Sequence, residues 1–143
     1  MGVIYMGVEV GHTFPKKTFT VEPHRVEEFV IALGVEPHPG WKPTTGNAVP
    51  LGFLMYVTTY GADEVHGMLD FDLLRTVYGG TDSEYFAPVY VGDVLSVSPV
   101  ISSLVVKETK NGKLTFAELT CEYINADGII AVREKSTTVE RGN

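Results

Sequence analysis

Residues 50–63 read Pro50-Leu51-Gly52-Phe53-Leu54-Met55-Tyr56-Val57-Thr58-Thr59-Tyr60-Gly61-Ala62-Asp63, an apolar run that carries no charge until its last residue. Leu51, Leu54, Met55 and Thr58 share one helical stripe, and Phe53, Tyr56, Val57 and Tyr60 fill most of the remaining circumference. A helix apolar nearly all round has to be enclosed, here by a sheet packed against it. With 14 residues the run is too short for a bilayer, which takes roughly 20 apolar residues. The competing reading is a buried strand, because Tyr56 to Tyr60 are good strand formers. Length and the proline at the start favour a helix beginning at Pro50.

What lies on either side supplies the sheet. Thr18-Phe19-Thr20-Val21 alternates at period two and continues an extended segment from His12. Pro23 opens an amphipathic helix over 23–33, with Val26, Phe29, Val30 and Leu33 on one face and Gly34 as its left-handed terminator. Val35 to Val49 holds three prolines and two glycines in 15 residues, a loop of the length kept for a functional task. Beyond the apolar run, Phe71 to Arg75 is a candidate short helix, ended by Gly79-Gly80. Ser83 to Ala87 reads as a strand closed by Pro88, and Val94 to Lys107 as one long strand. Asn111-Gly112 is a strong hairpin signal. Leu114 to Asn125 and Ile129 to Glu140 follow, separated by Ala126-Asp127-Gly128, with Leu119, Cys121 and Tyr123 opposing Glu118, Thr120 and Glu122. These long antiparallel strands must bury one face. The fold class expected is α+β: a single hotdog domain over 1–143, its sheet wrapped around the Pro50 helix. The free edges of such a sheet pair readily with a second copy or a related subunit, so a dimer is expected.

Composition bounds the function. The chain has 143 residues, 44% apolar and 20% charged, with mean hydropathy +0.09 and net charge −7. No dense basic patch is present, which argues against nucleic acid and anionic membranes as partners. The single cysteine, Cys121, cannot form an internal disulfide, and a reducing, cytoplasmic setting is expected. No His or Cys pair has metal-ligand spacing, and no phosphate-binding glycine loop precedes a helix.

The run Val8–Gly34, Val49-Pro50-Leu51 leading into the helix, and Ala87-Pro88-Val89-Tyr90-Val91-Gly92-Asp93 leading into a strand together resemble the MaoC-like dehydratases. More narrowly, they resemble the N-terminal-type hotdog domain, similar to the dehydratase portion of type I fatty acid synthases and to (3R)-hydroxyacyl-thioester dehydratase subunits. The resemblance implies reversible hydration of a 2-enoyl thioester of coenzyme A or acyl carrier protein, with no further cofactor. Active members of this family carry an Asp-x-Asn-Pro-x-His loop before the central helix, and that pair manages the water and the α-proton.

The matching stretch here is Leu33-Gly34-Val35-Glu36-Pro37-His38-Pro39: valine stands at the aspartate position and the asparagine is missing. Glu36 and His38 are the candidate catalytic pair if the chain acts alone; the alternative is that both are solvated loop residues. Some subunits of the subgroup lack the pair and hold the acyl chain while a partner hotdog subunit supplies the chemistry. Leu54, Met55 and Thr58 are then candidate walls of the acyl tunnel; Tyr78, Gly79 and Gly80 lie where active members often have His-Gly, and the glycines suggest close backbone approach to the thioester. An acyl-CoA thioesterase using Asp63 or Glu64, with His66 nearby, is a further alternative. Asp93 is expected to bond local backbone N–H groups, and Cys121 to be a small core residue.

Overall fold

The computed structural model describes residues 9–34, 39–54 and 71–142. Glu36, His38, Met55, Thr58, Asp63, Glu64 and His66, with most of the apolar run, lie outside the described residues.

Local chemistry sets the first elements. Strand β1 spans Lys17–Thr20, and helix α1 spans Pro23–Leu33 with proline at its start. Gly34 adopts φ 73°, and its N–H donates to the Ile31 and Val30 carbonyls, closing the helix as expected. Val26 is buried and Phe29 and Val30 half-buried, but Leu33 is exposed, so the buried stripe is one turn shorter than its apolar pattern.

A 3-10 turn over Leu73–Arg75 replaces the expected short helix and runs directly into β2, Thr76–Tyr85. Strand β2 therefore passes through Gly79-Gly80 instead of ending there. The glycines form a bulge, with Tyr78 opposite Thr138 and Gly80 opposite Thr137. The expected single strand 94–107 is two: β3, Val94–Val97, and β4, Val100–Thr109. Pro99 cannot donate a ladder hydrogen bond, and Ser98-Pro99 interrupts the strand. The N-terminal segment pairs across the interruption: Phe14 N–H donates to the Pro99 carbonyl at 2.7 Å and Ile101 N–H to the His12 carbonyl at 2.9 Å. The β4–β5 turn is Lys110-Asn111, flanked by the pair Thr109 and Gly112, one residue ahead of the Asn-Gly expected. Strands β5, Gly112–Ile124, and β6, Ile130–Arg141, complete the sheet.

The six strands form one antiparallel sheet in the order β1-β3-β5-β6-β2, with β4 on the other end of β5. One edge of long β5 thus serves two partners, pairing Ser96 of β3 through Ile124 and β4 through Gly112 to Thr120, while β6 lies along the other edge. Its alternation is as read: Ala117, Cys121 and Tyr123 are buried on one face. Phe53 and Leu54, the described helical residues of the apolar run, are buried against that face with Val26, Leu95, Val132 and Tyr123. A second cluster of Phe14, Phe71, Ile101 and Ala117 lies under β4, and Leu119 bridges the two.

The turn Tyr90–Asp93 ties these parts together. Gly92 N–H donates to Val21 and Val21 N–H returns to Asp93, each at 2.8 Å. Val91 N–H donates to Asn47 at 2.8 Å, and Gly46 and Val49 donate to Val91 and Val89, each at 2.9 Å. Asp93 Oδ2 accepts the Tyr90 N–H at 2.9 Å, the backbone role expected of it. Gly92 has φ +97°, and a Cβ there would stand 2.8 Å from Thr45 Cγ2. Gly92→Ala should therefore cost about 1–3 kcal/mol, and more than Gly128→Ala, where φ is +77° but the space is open. Adding Thr45→Ser, which removes that methyl, should recover part of the Gly92→Ala loss but none of the Gly128→Ala loss in urea unfolding.

Candidate functional site

The loop before the apolar helix is held from within. Trp41 is buried and its Nε1 donates to the Ala48 carbonyl at 3.2 Å. Asn47 Nδ2 donates to the Lys42 carbonyl at 2.8 Å and to Thr44 Oγ1 at 2.9 Å. The helix does not begin at Pro50. Leu51 and Gly52 form a turn, Gly52 has φ +88°, and Phe53 N–H donates back to the Pro50 carbonyl at 3.3 Å. Helical backbone starts at Phe53. Leu51 is consequently 75% exposed and leaves the stripe to which its spacing assigned it. Gly52 was the signal, since a left-handed residue stops a helix from running through it.

Behind Leu54 lies the inner face of the sheet. The Tyr123 hydroxyl donates to the Leu54 carbonyl at 3.3 Å, joining the helix start to β5. Cross-strand pairs then form two rows: Tyr123, Val132 and Tyr85 in one, and Cys121, Glu134 and Ser83 in the next. Beyond them, Thr81 Oγ1 and Ser136 Oγ are 3.0 Å apart, and the Tyr78 hydroxyl bonds Thr81 Oγ1.

Glu134 is the unusual member. It is 1% exposed, and among the described residues its Oε1 has no hydrogen-bond partner. Burial pushes its carboxyl up to about 7, because the charged form is the one that loses hydration. The effect spreads to its neighbours. Burial, then Glu134, push the Cys121 thiol up to about 12, so this cysteine is no nucleophile. The Tyr123 hydroxyl is raised by burial and then by Glu134. Tyr85 is raised by burial, against a hydrogen bond from the Gly52 backbone, with Glu134 adding to the rise. Sequence reading passed over Glu134. Its place two residues after Val132, in a strand whose partner buries Cys121 and Tyr123, was the available signal.

Of the residues singled out from sequence, Leu54 is 2% exposed at the centre of the core. Tyr78 is exposed on β2, an edge strand of the sheet. Gly79 packs its backbone against β6: a Cβ would stand 3.2 Å from the Thr137 carbonyl oxygen and 3.4 Å from its Cγ2. Close approach at Gly79 is thus explained by the neighbouring strand, while Gly80 faces open space. Among the described residues no group of three or more His, Cys, Asp or Glu side chains is placed to hold a metal ion. Among them, too, no helix is long and apolar enough to cross a membrane.

Residues 8–134 match the family model described as FAS1-like, dehydratase domain region. The chain belongs to that family. Its solved structural counterparts include the C-terminally truncated HadBC (3R-hydroxyacyl-ACP dehydratase) complex from Mycobacterium tuberculosis, at 20% identity and TM-score 0.69, covering 95% of this chain and 99% of that one. The R-hydratase PhaJ1 from Pseudomonas aeruginosa matches at 17% identity and TM-score 0.66, over 97% of this chain and 86% of that one. A MaoC-like dehydratase from Rhodospirillum rubrum matches at 16% identity and TM-score 0.66, over 99% of both chains. These likenesses establish the hotdog fold. No match is found among curated protein sequences.

The raised carboxyl of Glu134 makes stability depend on pH. Unfolded, it titrates near 4.5; folded, near 7. Between these values the folded state holds the extra proton, so its contribution is fully present below 4.5 and lost as pH rises through 7. The difference in Tm between wild type and Glu134→Gln should therefore shift against the wild type as pH rises across that window and level off above it. A difference constant with pH would remove the linkage.

Proposed function

We propose that this chain binds 2-enoyl and 3-hydroxyacyl thioesters of coenzyme A or acyl carrier protein, as the acyl-binding subunit beside a catalytic hotdog partner. The observation that carries this reading is the family match over residues 8–134 in a chain whose Leu33–Pro39 stretch has Val35 where active relatives have aspartate. A hydratase needs a positioned acid and base at the reacting carbons, and His38 with Glu36 two residues away differs in spacing from the family's pair. A partner would complete the site. The edge of β2 supports one: among the described residues it ends the sheet, and it exposes Val77, Tyr78, Tyr85 and Phe86 along or beside that edge. In this reading Leu54, Met55 and Thr58 wall the acyl chain, with Tyr78, Gly79 and Gly80 on the side of the thioester.

Purified protein, assayed alone with crotonyl-CoA and longer enoyl-CoAs, should bind them without hydrating them. Co-expression with a hotdog subunit that carries the intact Asp-x-Asn-Pro-x-His loop should restore hydration. Hydration by the pure protein, abolished by His38→Ala, would instead assign catalysis to Glu36 and His38. Thioester hydrolysis would replace the proposal with a thioesterase.

A further inference from the structure

Glu134 has no structural task that the fold displays. A buried carboxyl oxygen without a hydrogen bond costs on the order of 1–3 kcal/mol, and an apolar residue beside Val132 and Cys121 would avoid that cost. Among the described residues no cation offsets it: burial raises the carboxyl, and the described titratable groups that feel it are Tyr85 from β2 and Cys121 and Tyr123 from β5. Two of these are already engaged, Tyr123 with Leu54 and Tyr85 with the Gly52 backbone. Arg133, next in sequence, points to the opposite face, where it holds Glu122 at 2.8 Å.

The surroundings of the carboxyl are graded. Ser83 stands directly opposite it on the edge strand, and Thr81, Ser136 and Tyr78 continue a band of hydroxyls along the same face. On the other side Cys121, Val132 and Leu54 are apolar and buried. One orphaned oxygen at the inner end of a hydroxyl-lined strip is suited to a neutral group that can both donate and accept a hydrogen bond. An anion would be repelled there, and water-shedding by a cation would be costly.

We infer that Glu134 is the specificity-determining residue of the acyl site, hydrogen-bonding the 3-hydroxyl of a bound 3-hydroxyacyl thioester. This rests on the thioester reading above. In that class of ligand, the hydroxyl at C3 is what distinguishes the hydrated member from its enoyl and saturated counterparts. The carboxyl accepts from that hydroxyl or donates to it, and its orphaned oxygen is satisfied only when the hydrated member is bound.

The test is calorimetric titration of the intact protein with hexanoyl-CoA and (R)-3-hydroxyhexanoyl-CoA. The wild type should bind the hydroxylated thioester about tenfold more tightly, the equivalent of one well-made hydrogen bond. Glu134→Met should bind both alike, with its affinity for hexanoyl-CoA kept or improved, and Glu134→Gln should retain a preference. Equal affinity of the wild type for the two thioesters overturns the inference and leaves the thioester reading standing. A preference that survives in Glu134→Met overturns it as well. If neither thioester binds, the thioester reading itself fails and the inference falls with it. Glu134→Leu serves the same purpose should the methionine variant not fold, and the wild-type comparison needs no variant.

Discussion

The structure depends on a reciprocal set of backbone hydrogen bonds around Tyr90–Asp93. One side of the turn exchanges bonds with Val21, just ahead of α1, and the other with Gly46, Asn47 and Val49, just ahead of the apolar helix. Three segments far apart in sequence are thereby fixed at one corner of the sheet. Each bond is modest, about 1 kcal/mol net, but together they set where the loop 39–49 can run and where Phe53 and Leu54 meet Tyr123. Gly92 is central for two separate reasons: its backbone conformation excludes ordinary side chains, and Thr45 occupies the space that one would need.

Much of this was legible in the chain, wherever a local rule and the tertiary context agree. Proline at 23 and glycine at 34 bound α1 because neither end depends on distant residues. The alternation of β5 reports its buried face because one side of a sheet has to be dry. The Pro-Val-x-x-Gly-Asp run marked the family and is the turn that braces the fold. The misreadings also have local causes. Pro50 favours a helix start three residues ahead of the true one, because Gly52 has a positive φ that forces a turn before helical backbone can begin. Gly79-Gly80 read as a break, whereas a bulge lets both glycines stay within a strand. Pro99 divides one expected strand in two, and the pairing of Gly11–Phe14 over that division could not be seen from residues 94–107 alone.

The site was less legible than the fold, for a physical reason. Motif reading looks for pairs of reactive groups at fixed spacing, and Glu36 with His38 was all the loop offered. Glu134 has no such partner along the chain. Its character comes from being enclosed by β2, β5 and the core, so only the assembled sheet reveals a carboxyl kept from water. The same enclosure makes Cys121 inert, which matches its sequence reading as a packing residue.

Strand β6 carries one backbone irregularity with a large effect. Ile124 pairs with Ile130 but Tyr123 with Val132, so Ala131 is an extra residue, and its carbonyl is held by the N–H groups of Phe86 and Ala87. Counted outward from the turn without that insertion, Ala131 would oppose Tyr123 and Arg133 would oppose Cys121. A guanidinium, which stays charged at any physiological pH, would then occupy the interior, and the carboxyl would face the solvent. Which of two ionisable side chains lies inside the sheet is thus decided by a single-residue offset in a hairpin, pinned by two amide protons just past the end of β2.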